Sequence, residues 1–268
     1  LLEENKFLNI SDIVNEDVGC SSKLDVVYGD LACILYTSGT TGIPKGVKIT
    51  RKSILSHSQS YCDIYDCDWD DVFALYSNIG FDAGSQAIFL SIYAGACLTV
   101  VPEDIKFNIY SLNEYFIKEN VTHTFISTQV AKLFMEQIDT TSLKNLIAGG
   151  EKLGEFESPK DYRLIDGYGP TESFAFISSI DNNEKLNGSS VGMLNYNTRA
   201  YILDDDFRRV PIGAVGELYL AGYQIADGYL NRPEENKKSF IKPYTDIVNK
   251  YNEWRAKAIA NANEIIET

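Results

Sequence analysis

Between Tyr36 and Gly46 the chain reads YTSGTTGIPKG, which gathers the hydroxyls of Thr37, Ser38, Thr40 and Thr41, the glycines Gly39 and Gly42, and the ammonium of Lys45 into one loop. The apolar run Leu31-Ala32-Cys33-Ile34-Leu35 leads into it and reads as a buried strand. Hydroxyls, backbone N–H groups freed by glycine and one cation suit the oxygens of a polyphosphate. This is not a Walker loop, because Gly46 and not Ser or Thr follows the lysine. A surface turn rich in Gly and Thr would explain Gly39-Thr40-Thr41-Gly42, but it explains Pro44-Lys45-Gly46 poorly. A second group stands at Asp166-Gly167-Tyr168-Gly169-Pro170-Thr171-Glu172. There Tyr168 offers a flat apolar face for a purine, Thr171 a hydroxyl near phosphate and Glu172 a hard oxygen ligand for magnesium. The plainer reading is a glycine-rich turn with one solvated acid.

Both groups can serve one ligand only if the chain between them brings them to a common edge. From Asp71 onward, apolar runs alternate with helical patterns: Val72–Tyr76, Ala83–Ala94, Cys97–Val101, Ile109–Lys118, Thr124–Ile126, Val130–Ile138 and Leu146–Ala148. That alternation predicts βαβ crossovers and an α/β fold built on a mostly parallel sheet with flanking helices. Ligands of such sheets bind beyond the carboxyl ends of the strands. Gly149-Gly150-Glu151 and Asp166–Gly169 are therefore expected at the same edge as the phosphate loop. Earlier, Val47–Thr50 reads as a strand, and Thr50 or Ser53 as the cap of a helix holding Ile54, Leu55 and His57. His57 reads as a polar residue on a partly exposed helix face. The expected organisation is a connecting segment over 1–30, an α/β subdomain over 31–190, a small antiparallel β-subdomain over 191–240, and a helical tail over 241–268 with Ile247, Tyr251, Trp254 and Ala258 at helical spacing.

Composition narrows the choice of partner. The 268 residues suit one large α/β domain or two smaller ones, and 44% hydrophobic content supports a sizeable core. A net charge of −14 argues against nucleic acid, whose binding rests on Lys and Arg neutralising phosphates. ATP is still admissible, because charges beyond about 8 Å are largely screened and Lys45, backbone N–H groups and a metal ion act locally. No apolar run has the length of a membrane helix, and the chain opens without a charged-then-apolar signal, so a cytoplasmic protein with no membrane partner is expected. Cys20, Cys33, Cys62, Cys67 and Cys97 are odd in number and lack a Cys-x-x-Cys, which reads as reduced thiols. With His57 and His123 the sole histidines and no cysteine near them in sequence, a zinc centre is not expected.

YTSGTTGIPKGV resembles the phosphate loop of the adenylate-forming enzymes, which include acyl-CoA synthetases, luciferases and the adenylation domains of non-ribosomal peptide synthetases. The resemblance runs roughly from Ile10 to Tyr244. It implies the large N-terminal domain of that fold, incomplete, followed by a β-barrel-like subdomain. It also implies ATP and Mg²⁺ as cofactors, with Tyr168 stacking on adenine, Thr171 touching the α-phosphate, Glu172 holding the metal, and Gly150-Glu151-Lys152 lining the adenosine beside Asp166, Gly167 and Gly169. The implied reaction is attack of a carboxylate on the α-phosphorus of ATP, releasing pyrophosphate and leaving an acyl-adenylate. The protein must align two anions and offset charge on phosphorus, which suits Lys45, Thr171, Glu172 and the loop hydroxyls.

Phe81-Asp82-Ala83 is similar to the start of the amino-acid pocket in peptide-synthetase adenylation domains, where the aspartate pairs with the substrate ammonium. An activator of fatty or aryl acids would have no cation for such a carboxylate. Helix N-cap is the other reading of Asp82. Carried over position by position, the resemblance implies a pocket of Asp82, Ala83, Gln86, Phe125, Ile147, Gly149, Gly167, Ala175 and Phe176. Small residues leave room while Phe125 and Phe176 limit depth, which suggests a valine-like aliphatic substrate, although Gln86 could instead bond a polar side chain. The implied partner is a peptidyl carrier protein. An acyl-CoA or aryl-acid ligase and a non-catalytic interaction module are the alternatives. The Arg-Thr-Gly-Asp-like stretch and the mobile domain of full-length members are absent, so the chain reads as an internal fragment expected to show little adenylation alone.

Overall fold

The computed structural model describes residues 29–37, 43–154, 161–181 and 190–241. Its centre is a seven-stranded sheet in the order β4-β3-β5-β6-β7-β8-β9, formed by β3 (Val72–Leu75), β4 (Cys97–Val100), β5 (His123–Ser127), β6 (Asn145–Gly149), β7 (Arg163–Tyr168), β8 (Ser178–Asp181) and β9 (Met193–Leu194). Strands β3 to β7 pair in parallel, while β8 and β9 return antiparallel. Helices α2 (Asp82–Ala94), α3 (Ile109–Lys118) and α4 (Thr128–Gln137) make the crossovers. The predicted mostly parallel α/β sheet is thus the observed one.

Period-two alternation sends successive strand residues to opposite faces. Leu146, Ala148, Leu164 and Ile126 join Leu112, Phe116 and Phe134 of α3 and α4 on one side. Ile147, Ile165 and Phe73 join Tyr61 and Leu90 on the other, where α1 (Arg51–Tyr65) and α2 pack. Strands covered on both faces read as continuous apolar runs, which is why they were legible.

The strand before the phosphate loop departs from expectation. β1 (Leu31–Thr37) forms an antiparallel hairpin with β2 (Lys45–Thr50), separate from the parallel sheet, and only Leu35 in it is buried. A hairpin can keep one face wet. Its packed face joins Leu35, Val47 and Ile49 to Ile54, Phe174, Ala226 and Tyr229. A remote segment completes the hairpin: Lys48 N donates to Gly228 O at 2.9 Å, Leu230 N to Gly46 O at 2.8 Å, and Asp227 N to Lys48 O at 2.9 Å. The β-rich region after residue 195 holds β10 (Thr198–Leu203) and β11 (Glu217–Gly222), an antiparallel pair followed by the short helix α5 (Pro233–Ser239). Among the described residues there is no closed barrel, and the barrel-like expectation reduces to an open two-stranded ladder. No helix among the described residues is long and apolar enough to cross a membrane. The tail beyond residue 241 lies outside the described residues.

Thr50 is the cap of α1: its Oγ1 accepts from Ser53 N at 3.1 Å and stands 2.8 Å from Ser53 Oγ. Thr50→Ala should cost about 1 kcal/mol of stability, read as a lower denaturant midpoint, and Thr50→Ser should restore it. An unchanged midpoint would remove the cap from the account.

One expectation about histidine fails, and the other histidine has a neighbour that sequence distance hides. His57 is fully buried rather than on a partly exposed face, with Nε2 3.2 Å from Gln86 Oε1, Nδ1 3.4 Å from Gln224 Nε2, and the rings of Phe174 and Phe176 edge-on. Burial lowers its pKa to about 4 against the opposing bonds to Gln86 and the Phe176 carbonyl, so the ring is neutral. His123 has a cysteine beside it after all, with Cys67 Sγ 3.9 Å from Nε2. The residues are 56 positions apart, and only the fold brings them together.

Candidate active site

Lys45 opens β2, paired with Thr37 across the hairpin. Its ammonium lies 4.8 Å from the centroid of the Tyr229 ring, a cation–π contact. The Tyr229 hydroxyl donates to the Glu172 carboxylate, and the Glu172 carbonyl accepts from Ala226 N at 2.8 Å. Lys45 and Glu172 are therefore joined in a row of contacts through one residue, the cation over the Tyr229 ring and the anion at its hydroxyl. Burial, with the Glu172 carboxylate beside it, pushes the Tyr229 phenol up to about 12, so it stays a donor. The hairpin carrying Lys45 and the turn carrying Glu172 meet because Phe174, Ala226 and Tyr229 share one core with Val47 and Ile49. Ser38, Gly39, Thr40, Thr41 and Gly42 lie outside the described residues.

Glu172 sits in the 3-10 turn Thr171–Ser173, directly beyond the carboxyl end of β7. Phe174 and Ala175 then adopt positive φ, 49° and 59°, which reverses the chain into β8. Left-handed backbone at non-glycine residues is strained and persists where surrounding contacts over-determine it. Tyr168 ends β7 with 43% of its surface exposed, so a face of the ring is open to stacking. The neighbouring strand ends at Gly149, opposite Gly167. Gly150 follows at φ 95°, and Thr128 Oγ1 donates to the carbonyls of Gly149 (3.2 Å) and Glu151 (3.0 Å), tying this turn to the start of α4. Glu151 and Lys152 are exposed there. Asp166 is half-buried, and burial raises its carboxyl pKa against the Leu153 N–H and Lys132. Gly149 through Lys152 and Asp166 through Glu172 thus share the carboxyl edge of β6 and β7.

Beneath that edge lies a narrow cavity lined in part by Gln86, His123, Thr124, Phe125 and Ile147. Phe125 and Ile147 are register partners, and the Phe125 ring stands where a side chain on Gly149 would go. Phe176 does the same for Gly167, at 3.0 Å from an added Cβ. Ala175 and Phe176 are buried. Asp82 and Ala83 occupy the first turn of α2, one turn before Gln86. The N-cap alternative for Asp82 fails: Phe81 is the cap, and Asp82 Oδ1 accepts only from the adjacent Ala83 N, at 2.7 Å. Asp82 is half-buried, and among the described residues no cation pairs with it. Gln86 Nε2 and Thr124 Oγ1 are buried without a hydrogen-bond partner. Such orphaned groups on a cavity wall point to a bound ligand or water.

The family described as AMP-binding enzyme matches residues 11–230. The chain belongs to that family. Among relatives of this AMP-binding enzyme chain, surfactin synthase subunit 2 of Bacillus subtilis is 40% identical over 216 residues, covering 81% of the chain and 6% of the relative. Bacitracin synthase 1 of Bacillus licheniformis is 36% identical over 213 residues, covering 80% of the chain and 4% of the relative. The chain thus spans only about a twentieth of these proteins. Among solved structures, the N-terminal subdomain of Klebsiella oxytoca NpsA in complex with 3-hydroxyanthranilyl-AMSN superposes with a TM-score of 0.76 at 25% identity, covering 87% of the chain and 62% of that structure. The Vibrio cholerae adenylation domain AlmE, in complex with glycyl-adenosine-5'-phosphate, gives 0.70 at 25% identity, covering 82% and 44%.

Three side chains of the site escaped sequence reasoning. Tyr229 links Lys45 to Glu172, yet in Gly228-Tyr229-Leu230 it reads as part of a β-turn. His57 and Gln224 back the cavity through Gln86, with Gln224 Nε2 also donating to Phe176 O at 2.8 Å. For His57 the usable signal was the uncommon run of polar residues inside α1.

Proposed function

We propose that this chain carries the nucleotide and amino-acid sites of an adenylation enzyme, which joins an amino-acid carboxylate to AMP with release of pyrophosphate and passes the product to a peptidyl carrier protein. The observation that carries this reading is the half-buried, cation-free Asp82 at the head of a helix that leads to the cavity. A substrate ammonium would supply the missing charge. The Lys45–Tyr229–Glu172 row supports the nucleotide half. Lys45 would meet phosphate oxygens, Tyr168 would stack on the base, and Thr171 would reach the α-phosphate. Glu172, a hard oxygen donor held in place by Tyr229, fits Mg²⁺ and would hold it. That ion, when bound, supplies positive charge to the phosphates. On the substrate side, the unpartnered Gln86 Nε2 and Thr124 Oγ1 favour a short side chain with a hydrogen-bond acceptor over the valine-like one.

The test is Asp82→Ala in a full-length adenylation protein that contains this chain, read by substrate-dependent ATP–pyrophosphate exchange. Activity with the preferred amino acid should fall about 30-fold or more, the equivalent of roughly 2 kcal/mol for a truncated charge pair. Exchange driven by the same acid lacking its amine should barely change. Exchange unchanged with both acids would favour an acyl- or aryl-acid ligase, and equal losses with both would make Asp82 a structural residue.

A further inference from the structure

We propose that Cys62, Cys67, Asp71 and His123 form a binding site for a divalent transition-metal ion of the zinc class, at the edge of the sheet opposite the candidate active site. His123 is the first residue of β5, Asp71 immediately precedes β3, and both therefore stand at the amino ends of parallel strands. Cys62 lies in the last turn of α1, and Cys67 follows that helix, its N–H donating to Cys62 O at 3.1 Å. The ligand atoms of Cys67, Asp71 and His123 all fall within 4.8 Å of one another, with Asp71 and His123 buried.

The spacing is that of a coordination shell slightly opened. His123 Nε2 is 3.4 Å from Asp71 Oδ2 and 3.9 Å from Cys67 Sγ. Around a tetrahedral zinc, with bonds of about 2.0 Å to N and O and about 2.3 Å to S, those edges come to roughly 3.3 and 3.5 Å. Closing those two edges needs only a few tenths of an ångström, and the Cys67–Asp71 edge, at up to 4.8 Å, needs a larger side-chain movement. The sulfur of Cys62 is within hydrogen-bonding reach of Cys67 but outside the 4.8 Å group, so it becomes the fourth donor by a side-chain rotation toward the centre. Two sulfurs, an imidazole and a carboxylate suit zinc or cobalt rather than magnesium or calcium.

The outer groups are those a loaded site requires. Lys144 Nζ holds Asp71 Oδ1 at 2.7 Å, while Oδ2, which accepts from Asp68 N at 3.0 Å, faces His123. Tyr61 places its hydroxyl 2.9 Å from His123 Nδ1, and Phe73 stacks on the ring with centroids 4.6 Å apart. With metal on Nε2, the ring proton resides on Nδ1 and is donated to the Tyr61 oxygen, and the Asn145 amide, 3.3 Å from Nδ1, turns its oxygen toward that proton. Binding sends the two thiol protons to solvent.

The experiment titrates the purified 268-residue chain, stripped with a chelator, with Co²⁺ alone and then with Zn²⁺. The expected result is one equivalent of cobalt with a thiolate charge-transfer band and tetrahedral visible bands, both abolished by zinc. Cys67→Ser and His123→Gln should remove the spectrum. Lys144→Met should weaken binding by about 10- to 100-fold while retaining it, and Cys97→Ser, at an exposed thiol, should change nothing. Because buried substitutions can impair folding, a second measurement uses the unaltered chain: Zn²⁺ should slow alkylation of Cys62 and Cys67 by about tenfold or more, leaving Cys97 unaffected. A folded chain without the charge-transfer band, or equal alkylation of Cys67 with and without zinc, would overturn the site and leave His123 and Asp71 as a structural pair. His123 also lines the cavity beside Gln86 and Thr124, so the adenylation reading is tested separately, through Asp82→Ala and Glu172→Gln, whose residues are not among the metal donors.

Discussion

Glu172→Gln, placed in a full-length adenylation protein that contains this chain, should lower amino-acid-dependent ATP–pyrophosphate exchange by about 10²- to 10³-fold, the scale of losing one preorganised electrostatic group. Glutamine keeps the shape of the side chain and an oxygen able to accept from Tyr229, so the turn Thr171–Ser173 should hold its place. Only the negative charge goes, and with it the affinity for a hard cation. Tyr229→Phe is the informative partner. It deletes the hydroxyl but leaves the ring under Lys45, so it should cost far less than Glu172→Gln if the carboxylate acts through a metal. Excess Mg²⁺ should recover part of the activity of Tyr229→Phe and little of Glu172→Gln. Comparable losses in the two variants would mean that Glu172 serves only to anchor Tyr229.

Gly169→Ala should be the most damaging single methyl at the site. An added Cβ would stand 2.3 Å from Ala175 O, 2.7 Å from Phe176 Cα and 2.8 Å from Ile177 N, all backbone atoms that no rotamer change can move. The reversal at Phe174 and Ala175 would have to open, drawing Phe176 off Gly167 and Glu172 away from Tyr229. Overpacking of this kind costs roughly 1–3 kcal/mol and occasionally more, and the position against fixed backbone puts this case at the upper end. Gly80→Ala is the control, because its Cβ would meet only the Asn78 side chain, at 3.1 Å. Thermal melting of the two variants should separate them clearly. A Gly169→Ala chain that melts with the parent would show that the reversal is soft.

What could be read from the sequence was what local periodicity encodes. The apolar run Leu146–Ala148 and the helical span Ile109–Lys118 each carry their own pattern, and both appear where the pattern puts them. The common edge of Gly149–Glu151 and Asp166–Gly169 followed from the parallel sense of the strands, whose carboxyl ends fall together, without knowledge of any contact. The misreadings involve partners that local periodicity does not reveal. His57 is buried because Gln224, 167 positions later, closes over it. β1 looked like a sheet strand because its apolar content does not reveal that its neighbour is the adjacent β2 in antiparallel sense. Cys67 and His123 share a site only once α1 and β5 have docked. A pocket wall built from Gln86 and Thr124, each orphaned, likewise has no sequence signature.

The stitching of β2 by residues 227–230 sets an order of assembly during synthesis. Strands β3 to β7 can condense as they leave the ribosome, since each crossover brings its partner along within a few dozen residues. The hairpin bearing Lys45 cannot, because the edge it needs is translated 179 positions after Lys48, where Asp227 closes an ion pair with it. The hairpin is therefore made before the parallel strands and completed after them, and a chain halted before Leu230 would emerge with its sheet formed and the hairpin bearing Lys45 still unclasped.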